Sequence, residues 1–442
     1  MNSFFDLTED EIKRGRCETN YFHMYVNADI NTIDISKLDA KTRGTFMHEY
    51  LHYIQFINTV FGVSYGIIYN NFFSYCKKHF IKNDTIKIPL NILGDYPALQ
   101  NSIDKYKNLK GSGSELPIDI ARIEVNPAEI VNAKQNNTGV QISAFESGTN
   151  EVHIFNFGYL CIIESMAHIF QSFFDPTAEH PQIPYRAVQL VCKDFSPEVA
   201  NDPKMLFSIC LCSLMYNNPA YGFFEILEIV RQNPRMNGQI LYKHMLKESK
   251  VHHRCTIKSM KDIFLIYVKD YQRNIESAIG HKLEYYSEVF KSCIHEIKQG
   301  ESLLLKLLYE SDITTKESIE LLLNYYGVPL VDSNTYTFMA KSPKQGSKYI
   351  DIALLRSLEM TISRFIPNID KSKYPIYEPR CPLYEKCNKS LYAYPTPKFE
   401  MSLECENKQW EKDSQCLMTE SLKVNRVYGK SIIQDLLPPD MQ

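Results

Sequence analysis

The pattern of residues 41–59 constrains the fold more than any other segment, because it fits only one regular structure. Large apolar side chains recur at i, i+4, i+7 and i+11, the spacing of one helix face: Phe46, Tyr50, Tyr53 and Ile57. No proline interrupts the run, and Asp39 or Thr42 can cap its first turn. We therefore predict a long helix that faces the core.

Two histidines lie on this predicted helix with a glutamate between them, in the run His48-Glu49-Tyr50-Leu51-His52. Residues i and i+4 share a helix face, so His48 and His52 can direct two imidazoles at one metal ion. Glu49 lies beside that face, where its carboxylate can reach a water at the metal without binding the metal. The bare pattern is only moderately specific, so its surroundings matter.

Those surroundings agree with a known family. Thr45 lies three positions before the first histidine, uncharged residues flank the pair, and Ile54 follows it. The segment resembles the zincin metallopeptidases. The resemblance implies one catalytic Zn²⁺ on His48 and His52, and Glu49 as the general base that passes the proton of water to the leaving amine.

A catalytic zinc site needs a third protein ligand. The metzincin clan would have Gly at position 55 and His at position 58, but the sequence has Gln55 and Asn58, which excludes that clan. Gluzincins take a glutamate from a later helix. The best candidate is Glu164, an isolated acid in the apolar stretch 158–174, where burial is costly without a partner. Competing third ligands are Glu146, Glu151 and His153.

His168 follows Glu164 at i+4, where gluzincins often have a carboxylate that binds a ligand histidine. Histidine departs from that pattern, so His168 is open to three roles: orienting a ligand, binding the metal or contacting substrate. The resemblance also implies a Tyr or His that donates to the substrate oxyanion. Several residues remain equal candidates for that donor: Tyr159, His153, His180 and Tyr185.

The fold class predicted is α+β. Strands are expected at 21–27 and 32–36 and a hairpin at 140–145 and 152–157, either pair being able to hold an extended substrate. We predict a zincin-like catalytic domain over 1–184 with an insertion at about 68–139. A mainly helical domain over 185–369 and an irregular tail over 370–442, rich in Cys, Pro and Tyr, complete the chain.

Several Cys and His residues invite a second metal site. The tail has four cysteines, Cys381, Cys387, Cys405 and Cys416, but five residues separate the first pair and ten the last. In zinc knuckles, two to four residues separate the paired cysteines. We therefore predict ordinary thiols and no structural metal. His252, His253 and Cys255 are expected in a solvated loop, and Cys210 and Cys212 in the core.

Composition limits the partners. Lys plus Arg number 49 and Asp plus Glu 52, which argues against nucleic acid or an anionic membrane as the main partner. The N-terminus lacks the pattern of a secretory signal, the apolar stretch 205–216 is too short to span a bilayer, and twelve cysteines fit a reducing cytoplasm. We expect a cytoplasmic protein with a protein or peptide substrate.

The large part of the chain outside the motif suggests a selective substrate or a regulatory protein partner. Abundant Asn, Ile, Lys and Tyr are typical of low-GC microbial genomes, which raises the hypothesis of bacterial stress, toxin or phage-defence proteolysis. Two rivals stay open. One is a metalloenzyme of another class, with a redox metal such as iron on His48, His52, Glu164 and His168. The other is a catalytically silent binding protein.

Overall fold

The computed structural model describes residues 15–434, apart from several gaps: 89, 91, 114–118, 150, 254, 336, 341–347, 366–367, 370–374, 377–380, 382, 385–386, 388–401 and 413–415. The first half mixes strands and helices in this order: β1 (Gly15–Glu18), β2 (His23–Val26), α1 (Ala40–Asn58), α2 (Val60–Lys82), β3 (Thr85–Ile88), α3 (Ile92–Asp95), α4 (Pro97–Lys110), β4 (Ile120–Glu124), α5 (Pro127–Asn136), β5 (Val140–Glu146), β6 (Val152–Phe157) and α6 (Tyr159–Phe174).

The second half is mainly helical: α7 (Gln182–Tyr185), α8 (Ala187–Phe195), α9 (Pro197–Ala200), α10 (Pro203–Ser213), α11 (Pro219–Gln232), α12 (Gly238–Glu248), β7 (Lys250–His253), β8 (Thr256–Ser259), α13 (Met260–Ile279), α14 (Glu284–Gln299), α15 (Leu303–Glu310), α16 (Lys316–Tyr326), β9 (Leu330–Asp332), β10 (Thr337–Phe338), α17 (Lys348–Phe365), β11 (Asn368–Ile369), β12 (Pro375–Ile376), α18 (Glu404–Asn407), α19 (Leu417–Val424) and β13 (Ser431–Gln434). Short 3₁₀ turns lie at Thr19–Tyr21, Ile35–Lys37 and Gln409–Glu411. This mixture of helices and small sheets is compatible with the α+β prediction.

Helix α1 forms as its sequence predicts. The Asp39 side chain accepts a hydrogen bond from Thr42 N at 3.0 Å and so caps the first turn. The predicted core-facing stripe is fully buried: Phe46, Tyr50, Tyr53 and Ile57. Tyr50 and Tyr53 donate their hydroxyls to the carbonyls of Gly327 and Tyr326, at 2.6 and 2.8 Å. The apolar face of α1 is therefore fixed against the end of α16, which leaves its histidine face for the other side.

Strands β1 and β2 form a sheet with residues from far along the chain. The strand order is β1-β2-β9-β10, with β1 antiparallel to β2 and β2 parallel to β9. His23 lies opposite Leu330 in that parallel pair. Strand β1 is an edge strand of this sheet among the described residues. Its four residues line the cavity described below.

Other elements pack around α1. Helix α6 lies along α1, α2 packs against α13, and α10 packs on α6. Near the end of the chain, α19 packs on α17, and β13 pairs in parallel with β3. Buried residues of all these elements belong to one hydrophobic cluster, in which Phe22 stacks on Tyr286 with ring centroids 3.9 Å apart.

Several local predictions are confirmed and some are wrong. Strand β2, the hairpin β5–β6 and helix α6 form where they were expected, and Cys210 and Cys212 are buried in α10. The strand predicted at 32–36 was wrong: an ST and Asx turn forms instead, with Asp34 accepting from Ser36. The loop expected around His253 was also wrong, since β7 and β8 form a hairpin there with Cys255 exposed in its turn. The domain boundaries remain a prediction.

Among the described residues, no helix combines the length and the apolar character needed to cross a bilayer.

A buried carboxyl group links α1 to the helical half. Glu296 on α14 accepts hydrogen bonds from Asn58 Nδ2 at 2.7 Å, from the Tyr326 hydroxyl at 2.8 Å and from the backbone N–H of Leu303. Burial raises the pKa of Glu296 to about 7, although these donors oppose the rise. A protonated Glu296 has a ready acceptor in Asn58 Oδ1, which has no hydrogen-bond partner within the described part of the chain and can be reached by an amide flip.

This raised pKa gives a pH dependence of stability. A carboxyl group whose folded pKa lies above its unfolded value contributes stability below the unfolded pKa, and that contribution is lost as pH rises through the folded pKa. Between pH 4.5 and 7, we expect the free energy of unfolding to fall by about 3 kcal/mol through Glu296. Urea denaturation across this range should show a fall that is about 3 kcal/mol larger for the wild type than for Glu296→Gln. Parallel curves for the two proteins would contradict the assignment.

Candidate metal centre

Helices α1 and α6 approach closely because small residues lie where they meet. A Cβ on Gly44, near the start of α1, would lie 2.7 Å from the Cβ of Asp175, just after α6. Glycine at this position therefore permits the approach that brings the histidine face of α1 against the glutamate of α6. The resulting packing buries His48, Glu49 and Glu164, each 5–6% exposed.

Three side chains predicted to bind metal converge in this interface. Nε2 of His48 lies 3.2 Å from Oε2 of Glu164, and Nε2 of His52 lies 3.4 Å from Oε1 of Glu164. Their donor atoms all fall within 4.8 Å of one another. Two imidazoles and one carboxylate are a donor set suited to Zn²⁺ and to other divalent transition metals. The buried group of His48, His52 and Glu164 can therefore hold a metal ion.

Two glutamines orient the imidazoles. Oε1 of Gln171 lies 3.0 Å from Nδ1 of His48, and Oε1 of Gln55 lies 2.9 Å from Nδ1 of His52. The Gln55 amide is itself fixed, because its Nε2 donates to the carbonyl of Ile163 at 3.1 Å. An amide oxygen at each Nδ1 holds the ring proton there, so each neutral imidazole presents the lone pair of Nε2. Both Nε2 atoms point to Glu164, as a shared metal would require.

The charges of the three ligands are coupled. Burial raises the pKa of Glu164, but His52 and His48 outweigh burial and hold it well below the usual range. For His52, burial lowers the pKa, and the Glu164 carboxylate overcomes this and raises it to about 9. Burial lowers the pKa of His48. Without a cation, the group thus holds an ionised Glu164, a charged His52 and a neutral His48, and a metal would displace the proton of His52.

We expect Gln171→Leu to weaken zinc binding by about 10- to 100-fold, the usual cost of losing an outer partner of a ligand histidine. Leucine fills the space but leaves Nδ1 of His48 without its acceptor. Competition with a chelating dye would measure the affinity. Gln189→Leu is a matched control, since Gln189 donates to the carbonyl of Ala200 and is not part of the described lining of the cavity over the ligands. Equal affinities for the two variants would contradict this role.

Glu49 faces the same cavity from beside the ligands. Burial raises the pKa of its carboxyl to about 8, so it can both take up and release a proton near neutral pH. Its carboxyl group lies against Gly15 of β1: a Cβ on that glycine would be 2.7 Å from Oε1 of Glu49. The edge strand and the carboxyl group therefore meet at one point.

A cavity of about 410 Å³ opens over this group. One wall is the edge strand β1 with the following Thr19 and Asn20, and the ligand side is formed by His48, Glu49, His52 and Glu164. Much of the remaining wall is apolar or aromatic: Phe56, Phe61, Tyr65, Tyr159, Leu160 and Leu214. A cavity of this size with convergent polar groups on one side is typical of a small-molecule or peptide site.

Two of the residues considered as oxyanion donors lie over the ligands. His180 stacks on His48 with ring centroids 5.7 Å apart, and Tyr185 stacks on His180 at 4.3 Å. Both line the cavity, as does Tyr159. Nε2 of His180 lies 2.9 Å from Oε1 of Gln171, so its ring proton is directed to that amide. Tyr185 and Tyr159 remain as candidate hydroxyl donors that line the cavity.

Other predicted residues lie elsewhere. His168 packs edge-on against His180 at 5.1 Å and lines a separate cavity with Ser165 and Arg186. It does not join the close donor group of His48, His52 and Glu164 in the described chain. The competing ligands Glu146, Glu151 and His153 form their own, more exposed group on the β5–β6 hairpin, and none of them lines the main cavity.

Comparison with protein-family models, curated proteins and solved structures finds no match to this chain.

Sequence reasoning missed Gln171, Gln55 and strand β1. The two glutamines had a detectable signal, because Gln171 follows Glu164 at i+7 and Gln55 follows His52 at i+3, on the same helix faces. Strand β1 had none: Gly15-Arg16-Cys17-Glu18 is too short and too polar to be distinguished from a loop. The sheet in which it pairs with β2 also includes β9, more than 300 residues later.

Proposed function

We propose that this chain is a zinc-dependent endopeptidase of the gluzincin type that cleaves a selective protein substrate. The observation that carries the proposal is the convergence of His48, His52 and Glu164 from two helices with Glu49 beside them. Each of these residues has the position that the motif requires. The close donor group lacks His168, which favours a three-ligand peptidase site over a four-ligand redox site.

A Zn²⁺ held by these residues would polarise the scissile carbonyl and lower the pKa of a water towards about 7. Glu49 lies where its carboxylate can take the proton of that water and then donate it to the leaving amine. Gln171 and Gln55 keep the ligand imidazoles in one tautomer while charge changes nearby. Tyr185, stacked above the ligands through His180, is the donor that we assign to the oxyanion of the substrate.

Strand β1 provides a means of holding a peptide. It is an edge strand among the described residues and lines the cavity, so we propose that the backbone of an extended substrate pairs with it by β-augmentation. Such pairing would run the substrate past the Glu49 carboxyl group, which touches Gly15. The apolar wall that includes Phe61 and Leu214 suits a bulky apolar side chain next to the scissile bond. We therefore propose substrates that present an extended segment with such a residue.

The test is a comparison of new protein termini in cells that express the wild type or Glu49→Gln, with zinc measured in both purified proteins. We expect cleavages that depend on Glu49 and cluster beside bulky apolar residues, with equal zinc in the two proteins. Zinc binding without any Glu49-dependent cleavage would favour a silent binding protein. Iron with an oxidised absorption band, in protein purified without added metal, would favour the redox alternative.

A further inference from the structure

The folded backbone brings together parts of the C-terminal segment whose cysteines are far apart in the sequence. The backbone N–H of Cys381 donates to the carbonyl of Cys405 at 2.8 Å, which joins the two halves of the segment. A turn follows Cys381, and in it the N–H of Cys387 donates to the carbonyl of Leu383 at 2.9 Å. Cys416 begins α19 as its N-cap. All four thiols are partly buried and free of disulfides.

Hydrogen-bond donors point at three of these sulfurs. The N–H of Leu383 lies 3.5 Å from Sγ of Cys381, and the N–H of Thr419 lies 3.4 Å from Sγ of Cys416. Nζ of Lys412 lies 3.0 Å from Sγ of Cys405. A neutral thiol is a weak acceptor, whereas a thiolate accepts charge-assisted hydrogen bonds. Donors directed at several sulfurs are therefore typical of thiolates that share a positive ion.

The Lys412 amino group lies against one of these thiols. Lys412 is only 5% exposed, and its Nζ lies 3.0 Å from Sγ of Cys405. A neighbouring ammonium group favours the thiolate form of a cysteine. Lys412 therefore supplies a buried positive charge beside the group of cysteines.

The described part of the segment has few regular elements. Its described elements before α19 are β11 and β12 of two residues each, α18 of four residues and one 3₁₀ turn. Among the described residues of the segment before α19, two apolar side chains are buried, Leu383 and Trp410. Irregular segments that contain several cysteines are often stabilised by a disulfide or a structural metal. Since these thiols form no disulfide, a metal ion is the remaining means of stabilisation.

We propose that Cys381, Cys387, Cys405 and Cys416 bind one structural Zn²⁺ as four thiolates, with Lys412 as a neighbouring cation. Binding releases the thiol protons to solvent and leaves a complex of charge −2, which the Lys412 ammonium partly neutralises. No three of these sulfurs lie within 4.8 Å of one another among the described residues, so binding requires side-chain rotation that brings them closer. The wide sequence spacing does not exclude a shared ion, because the backbone hydrogen bond between Cys381 and Cys405 brings the two halves of the segment together.

Such an ion would fix the end of the chain to its body. The carbonyl of Cys405 accepts from Gln409 Nε2 at 2.9 Å, and Gln409 in turn accepts from Arg364 of α17. Cys416 sets the start of α19, which packs on α17. The zinc would therefore hold α19 and the following β13 in place. This role is independent of the proposed peptidase activity.

Zinc content of the purified full-length chain tests the proposal. We expect two zinc ions per wild-type chain, one in Cys405→Ser, one in Glu164→Gln and none in the double variant. Cys255→Ser is the matched control and should keep both ions, since Cys255 is exposed in the β7–β8 turn. Unchanged zinc in Cys405→Ser would overturn the tail site. Unchanged zinc in Glu164→Gln would instead count against the peptidase site alone.

A second measurement needs no variant and so is not affected by misfolding. After exchange of zinc for Co²⁺, the wild type should show strong thiolate-to-cobalt charge-transfer absorption in the near ultraviolet, which a His₂Glu site lacks. Lys412→Arg keeps the positive charge and should preserve this band. Lys412→Met removes the charge and should weaken cobalt binding. Absence of the band, native disulfides among these cysteines, or iron with acid-labile sulfide would each overturn the proposal.

Discussion

Glu164→Gln is expected to remove zinc from the α1–α6 site and to abolish any cleavage that depends on it. Glutamine keeps the shape of the side chain but loses the negative charge that both imidazoles face at 3.2 and 3.4 Å. The loss of affinity should exceed the roughly 10- to 100-fold that removal of an outer partner costs. Zinc analysis after dialysis against a chelator measures it directly.

Glu296→Gln is the matched control for this variant. It makes the same chemical change at another buried glutamate, on α14 and outside the cavity lining, and should leave zinc at the α1–α6 site unchanged. If Glu164→Gln bound zinc there as tightly as the wild type, the third ligand would have to be another residue. Glu146, Glu151 and His153 would then be tested in turn, although they lie apart from the cavity.

Glu49→Gln is expected to lower kcat by roughly 10²- to 10⁴-fold, the usual contribution of a general base. The amide cannot take a proton, but it does not bind the metal, so zinc content should stay at the wild-type level. KM should change little, because the substrate contacts along β1 remain. Steady-state kinetics on a peptide taken from a mapped cleavage site measures both constants.

The control for Glu49→Gln is Glu288→Gln, on the exposed face of α14, where Glu288 pairs with Lys291. Exposed pairs of this kind contribute little to stability, so kcat and KM should match the wild type. A Glu49→Gln variant that retained full kcat would rule out Glu49 as the base, and a variant that lost zinc would make it a ligand instead.

The parts of the site that depend on helix periodicity could be predicted from sequence. The stripe from Phe46 to Ile57 gave the orientation of α1, and the isolated acid in the apolar run of α6 indicated Glu164. Both inferences need only residues within one turn or two of each other. The same is true of the β5–β6 hairpin, where alternation and a Gly-containing turn act locally.

What could not be predicted depends on contacts between distant residues. Strand β1 pairs with its neighbour β2, but β2 also pairs with β9 from far along the chain, and no local pattern reports that second pairing. The cysteines of the tail looked too widely spaced for a metal, since the contact between Cys381 and Cys405 is made by the folded backbone. The segment 32–36 has β-forming residues. However, the Asp34 side chain accepts hydrogen bonds from the backbone N–H and the hydroxyl of Ser36, which stabilises a turn instead of a strand.

The contact between Gly15 and Glu49 matters more for the proposed chemistry than for the stability of the fold. The atoms nearest to a side chain at Gly15 would be Oε1, Cγ and Cδ of Glu49, so the Glu49 side chain could move aside at small cost to the core. We expect zinc binding to survive as well, because the residue that is displaced first is not a ligand. Among sequences that retain both histidines and the glutamate of α6, a larger residue at this position would therefore mark a lineage that kept the metal and gave up turnover.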